Sequence, residues 1–130
     1  MCIRDRVYTA GQIALVPETM KMLDGDITAQ THQVLKNLGA VLEAGGSSFA
    51  NVLKTTVFLS DIGDYAAMNA VYSEYFGDSK PARSAFAVDA LPLGALVEIE
   101  AIAVINDVKI RIKKKAKDKK DKKKKKKSKK

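Results

Sequence analysis

The sequence predicts an α+β domain with two helices packed on one face of a mixed β-sheet. Three observations predict it. Residues 26–44 and 64–77 carry apolar side chains at three- and four-residue steps. Residues 52–60 and 96–104 are β-branched or alternate strictly, and Gly, Pro and Asp signals separate these blocks. The order strand, helix, strand, helix, strand, strand puts both helices on one side and leaves the other sheet face in need of a partner.

Residues 7–13 read as a short strand, and 17–25 as a turn-rich connection. Asp26 is an N-cap for a helix in which Ile27, Thr31, Val34, Leu35, Leu38, Val41 and Leu42 form the apolar stripe, closed by Gly45 and Gly46. After Ser47 and Ser48 comes the strand 52–60, rich in β-branched and aromatic residues. Asp61 or Asp64 then caps a second helix in which Tyr65, Met68, Tyr72, Tyr75 and Phe76 line a stripe ending at Gly77. Tyr72 and Phe76 are read as core.

Two further strands follow. In 83–89, alternation sets Arg83, Ala85, Ala87 and Asp89 opposite Ser84, Phe86 and Val88. In 96–104 it sets Val97, Ile99, Ala101 and Ala103 opposite Glu98, Glu100, Ile102 and Val104. Pro92 and Gly94 lie in the connection, so these strands are expected to form a loosely connected antiparallel pair. Beyond them, Val108, Ile110 and Ile112 alternate with Lys109 and Arg111 after the turn signal Asn106-Asp107, which suggests an extra hairpin strand.

Charge on short apolar strands needs a reason. A planar guanidinium suits bidentate capture of a carboxylate ligand, and the small alanines beside Arg83 leave room for one. Arg83 could equally pair across the sheet with Glu98 or Glu100. Pattern alone leaves both readings open.

Composition narrows the rest. At 130 residues the chain is one domain, and no apolar run approaches the ~18–20 residues of a membrane span. Nothing at the start resembles a signal peptide, so a soluble cytoplasmic protein is expected. Cys2, the single cysteine, cannot form an internal disulfide. His32 is the single histidine and has no Cys or His companion, which gives no support to a metal site or a Ser-His-Asp triad. Gly45-Gly46-Ser47-Ser48 follows a helix, whereas phosphate-cradling loops lead into one.

The formal net charge of +8 divides unevenly. Residues 113–130 hold 14 Lys and 2 Asp, a balance of +12, so residues 1–112 carry 9 basic and 13 acidic groups, or −4. The body is mildly acidic. The Lys-rich tail is read as disordered low-complexity sequence, either an appended extension or a segment for non-specific, salt-sensitive nucleic-acid contact.

Several separated motifs now fall into register. Pro81-Ala82-Arg83-Ser84, then Leu91-Pro92, then Val97-Glu98-Ile99-Glu100-Ala101-Ile102-Ala103 resemble the signature of the RidA (YjgF) family of enamine/imine deaminases. Upstream, Ala10-Gly11-Gln12-Ile13, the segment 52–61 and Asn69-Ala70-Val71-Tyr72-Ser73-Glu74-Tyr75-Phe76 occur in that family's order. The resemblance runs from about Val7 to Val104, which divides the chain into a non-family leader, 1–6, a RidA-like domain, 7–112, and the tail, 113–130. It implies a chorismate-mutase-like fold and a homotrimer with sites between subunits. The N-terminal strand region looks truncated against the family, with one pocket wall at risk, and the strand at 108–112 is expected to replace part of the missing edge.

The resemblance implies hydrolysis of reactive 2-imino acids such as 2-iminobutanoate and 2-iminopropanoate, without a cofactor. Arg83 would hold the substrate carboxylate and Glu98 would handle the attacking water. Gly11 and Ala85 would offer backbone groups, and Tyr65 and Asn69 correspond to pocket-lining positions. Many members carry cysteine where Ala85 stands, and Asp89 is more acidic than the family position suggests. Two other classes are compatible with the sequence: a non-catalytic, carboxylate-binding or chaperone-like trimer, and an RNA-associated protein or ribonuclease.

Overall fold

The chain enters along a sheet edge. The computed structural model describes residues 2–3 and 5–105, with side chains from Asp5 onward. The expected strand at 108–112 and the Lys-rich tail lie outside the described residues. β1 (Cys2–Ile3) and β2 (Arg6–Tyr8) form a hairpin, and β2 runs antiparallel to β7 (Val97–Val104). Asp5 takes the turn at φ 70°, a left-handed conformation that Asp tolerates better than most residues.

The single strand expected over 7–13 is broken. After Tyr8 the backbone stays beside β7: Thr9 N–H donates to Ala101 O at 2.9 Å, and Gln12 and Ile99 exchange backbone bonds of 2.8 and 3.0 Å. The interruption falls at Ala10-Gly11, where the Glu98 side chain lies against Gly11. A second correction concerns 17–25. That stretch contributes to a small hairpin, β3 (Leu15–Val16) with β4 (Lys21–Met22), which the Asn37 side-chain amide anchors by donating to Ile13 O and Leu15 O at 3.1 and 2.8 Å.

α1 (Ile27–Ala44) begins as its sequence predicts, with Asp26 Oδ1 accepting from Ala29 N–H at 2.9 Å. Val34, Leu35, Leu38 and Leu42 are fully buried, each worth about 1.5–3 kcal/mol of transfer free energy. Val41 belongs to the predicted stripe but lies at its exposed margin. Gly46 leaves the helix at φ 80°, a conformation that favours glycine.

β5 (Val52–Leu59) is an interior strand of the sheet. Asp61 caps a short 3₁₀ turn by accepting from Gly63 N–H at 2.8 Å, and α2 (Tyr65–Phe76) follows directly. β6 (Ala82–Ala87) then pairs parallel with β5, completing a β-α-β crossover.

Sheet order is β1-β2-β7-β5-β6, so the expected antiparallel pairing of the two charged strands does not occur. β5 lies between them. The crossover through α2 carries β6 to one edge of β5, and the loop after β6 passes the end of β5 to deliver β7 on the other. Val88 N–H to Leu59 O at 2.8 Å and Ser60 N–H to Leu96 O at 3.1 Å fasten that passage.

Both helices cover one sheet face. Val57, Leu59, Val97, Ile99, Ala101 and Ala103 are buried beneath them, with Met68, Tyr72 and Phe76 of α2 in the same core. The opposite face carries Glu98, Glu100 and Ile102, which alternate with the buried set, together with Phe58 and Phe86 at a ring separation of 5.4 Å.

Candidate active site

Arg83 projects from β6 toward α2. Its register partner on β5 is Thr55, which is fully buried on the helix-covered face, so Arg83 shares that face. On α2, Tyr65, Asn69 and Tyr72 recur at four- and three-residue steps and present one surface to the strand. Arg83 Nη1 donates to Asn69 Oδ1 and Nη2 to Tyr65 Oη, each at 2.7 Å. The guanidinium carbon stands 4.6 Å from the Tyr72 ring centroid and 5.6 Å from that of Tyr65.

These contacts fix the cation without neutralising it. Two of the guanidinium's five N–H groups are used, which leaves three for a ligand. Among the described residues no carboxylate lies within ion-pair distance of Arg83. The cross-strand pairing that the sequence left open is therefore absent: Glu98 is opposite Phe58 and Glu100 opposite Thr56.

Tyr72 is more than the core residue expected of it. It is buried, as expected, but its ring is also the platform under Arg83, and its hydroxyl lies 2.7 Å from Thr55 Oγ1. Burial pushes the Tyr72 phenol above its ordinary value of 10.0, partly offset by the Thr55 hydrogen bond and the Arg83 charge. Thr55 is the other participant that sequence reasoning missed. A hydroxyl in register with Val57 and Leu59 on the strand's apolar face was the available signal.

A cleft of about 520 Å³ opens beside this assembly. Asn69, Tyr72 and Phe76 of α2 line one side, with Lys80, Pro81 and Arg83 on the approach to β6. Ala85 lies two residues beyond Arg83 on the same face, half-buried against the core. Its small side chain adds no bulk next to the arginine.

Glu98 and Gly11 form a separate pair. Glu98 occupies the sheet face without helices, two strands from Arg83, and a Cβ on Gly11 would land on its carboxylate. Glycine at that position is what gives the side chain its space. Of the six residues singled out in the sequence, the fold thus gathers Arg83, Tyr65, Asn69 and Ala85 on one face and Glu98 with Gly11 on the other.

Comparison with known proteins gives a consistent set of likenesses. The family model described as Endoribonuclease L-PSP matches residues 1–105. A RutC family protein of Pyrococcus horikoshii is 55% identical over 97 residues, covering 75% of this chain and 77% of that protein. The 2-iminobutanoate/2-iminopropanoate deaminase of Rattus norvegicus is 47% identical over 98 residues, covering 75% and 72%. The crystal structure of RidA from an Antarctic Psychrobacter species superposes with a TM-score of 0.77 at 41% identity, covering 81% of this chain and 85% of that one.

Proposed function

Since the chain belongs to the Endoribonuclease L-PSP family, the group its motifs resemble under the name RidA (YjgF), we propose that it is a hydrolytic deaminase of short 2-imino acids and their enamine tautomers. The observation that carries this reading is Arg83: a half-buried guanidinium, oriented by two neutral oxygens and an aromatic ring, with no described carboxylate as its partner. Such a cation is preorganised for an incoming carboxylate, and a 2-imino acid carries one beside its electrophilic carbon.

Glu98 is the water-handling group in this scheme. It accepts a proton as water adds to the C=N carbon. That proton passes to nitrogen to give the tetrahedral carbinolamine, whose hydroxyl proton is then transferred to the amino group as the C–N bond breaks and the C=O forms, and a 2-oxo acid and ammonia leave. General acid–base assistance of this kind contributes about 10²–10⁴ in rate. No redox step is involved.

Arg83 and Glu98 lie on opposite sheet faces of one chain, so one substrate meets both only where two copies adjoin. We accordingly assign a homotrimer with intersubunit sites, in which Arg83 of one copy faces Glu98 of the next. The helix-free face supports this assembly, since Tyr8 and Phe86 are 43% and 44% exposed there.

The test generates 2-iminobutanoate in situ and follows its decay. Wild-type protein should accelerate decay, and Arg83→Ala should lose at least about a hundredfold in kcat/KM by removing a charge-assisted bidentate contact. Equal decay with and without the wild-type protein would sink the reading.

A further inference from the structure

We propose that the Arg83 cleft holds a second anionic group through Lys80, so that imino dicarboxylic acids, with a distal carboxylate on the side chain, are its preferred substrate class. This deepens the deaminase reading and rests on it. The cleft, about 520 Å³ in one copy of the chain, is lined by both Arg83 and Lys80. Its two charged lining residues, Arg83 and Lys80, are both positive, and no carboxylate lines it. Pro81 and the largely buried Tyr72 and Phe76 rings line the same cleft.

Lys80 is also held in an unusual way. Its φ of 41° is left-handed, where glycine is the default and a lysine gains nothing sterically. Its N–H donates to Phe76 O at 3.0 Å, which fixes the turn out of α2 and with it the direction in which the side chain leaves. Asp78 and Glu74 are close in sequence, but they do not line the cleft. A strained cationic residue beside an unpaired arginine has the chemistry of a second carboxylate anchor.

Binding of unreactive acids separates this inference from turnover. Dissociation constants for succinate and for butanoate, acids of equal carbon number, are measured by calorimetry with wild type, Lys80→Ala and Lys80→Arg. Wild type should bind succinate about fivefold more tightly, the scale of one partly solvated ion pair. Lys80→Ala should erase that preference while keeping butanoate affinity, and Lys80→Arg should retain it. Because Lys80 is exposed, the preference should shrink as salt rises. Equal affinity for the two acids in wild type, or an unchanged preference in Lys80→Ala, overturns the inference. Binding of neither acid overturns it together with carboxylate capture by Arg83. A succinate preference in a protein inert toward imines defeats the deaminase reading, and imino dicarboxylates as substrates with it, while leaving Lys80 as a second carboxylate anchor.

Discussion

Tyr72 does two jobs with one side chain. The ring supports the Arg83 guanidinium and the hydroxyl meets Thr55 inside the core. Tyr72→Phe keeps the ring and strands the Thr55 hydroxyl, so it should cost about 1–3 kcal/mol of stability at neutral pH in chemical denaturation. The pH dependence has a definite sign. The native phenol holds its proton above 10.0, whereas the unfolded chain releases it near that value. The unfolded state therefore binds fewer protons, and the contribution is fully present below pH 10.0 and lost as pH rises through the native value. Tyr72→Phe should flatten that alkaline loss; unfolding curves that steepen identically in both proteins above this pH would contradict the assignment. The charged pattern at Arg83 and Glu98 was legible in the sequence, and the family resemblance pointed to Tyr65 and Asn69 beside it, but the Tyr72 platform and the strand neighbours were not. Alternation assigns a face to each side chain and says nothing of which strand lies alongside.

At the scale of elements, periodicity was a good guide to the helices and a poor one to the sheet. Asp26, the stripe from Ile27 to Leu42 and the glycines after it define α1 as found, because capping and period are local properties. Strand neighbours are non-local. β6 and β7 are adjacent in sequence and joined by turn signals, yet β5 separates them, since the crossover through α2 had already committed β6 to the far edge. The break between β2 and the Gln12 bridge has the same origin, a side chain from β7 filling the space at Gly11. This contact yields a prediction. Gly11→Ala puts a methyl where the flexible end of Glu98 lies, so the carboxylate must move while the backbone need not. Thermal stability should change by no more than about 0.5 kcal/mol. Imine turnover should fall at least about tenfold, in kcat rather than KM. Unchanged kcat would mean that the position of Glu98 is irrelevant to the chemistry.

The whole molecule has one helix-covered face and one bare face, with candidate groups on both. Among the described residues no helix is long and apolar enough to cross a membrane. The bare face mixes the Phe58 and Phe86 rings with Lys54, whose ammonium donates to Ser84 Oγ at 2.8 Å, and with two glutamates. Aromatic residues are enriched at subunit interfaces and Lys and Glu depleted, so it is the rings rather than the charges that fit this face for a second copy of the chain. The need for a covering partner was legible from the order of elements, whereas the separation of Arg83 from Glu98 emerged only with strand order. Complementation tests the shared site most directly. Arg83→Ala and Glu98→Gln are each expected to be inactive toward 2-iminobutanoate, and the two are then co-assembled in equal amounts. If each site takes its arginine and its glutamate from different copies, random assortment restores about a quarter of wild-type activity. A mixture as inactive as either variant alone, formed from demonstrably mixed oligomers, would contradict the account.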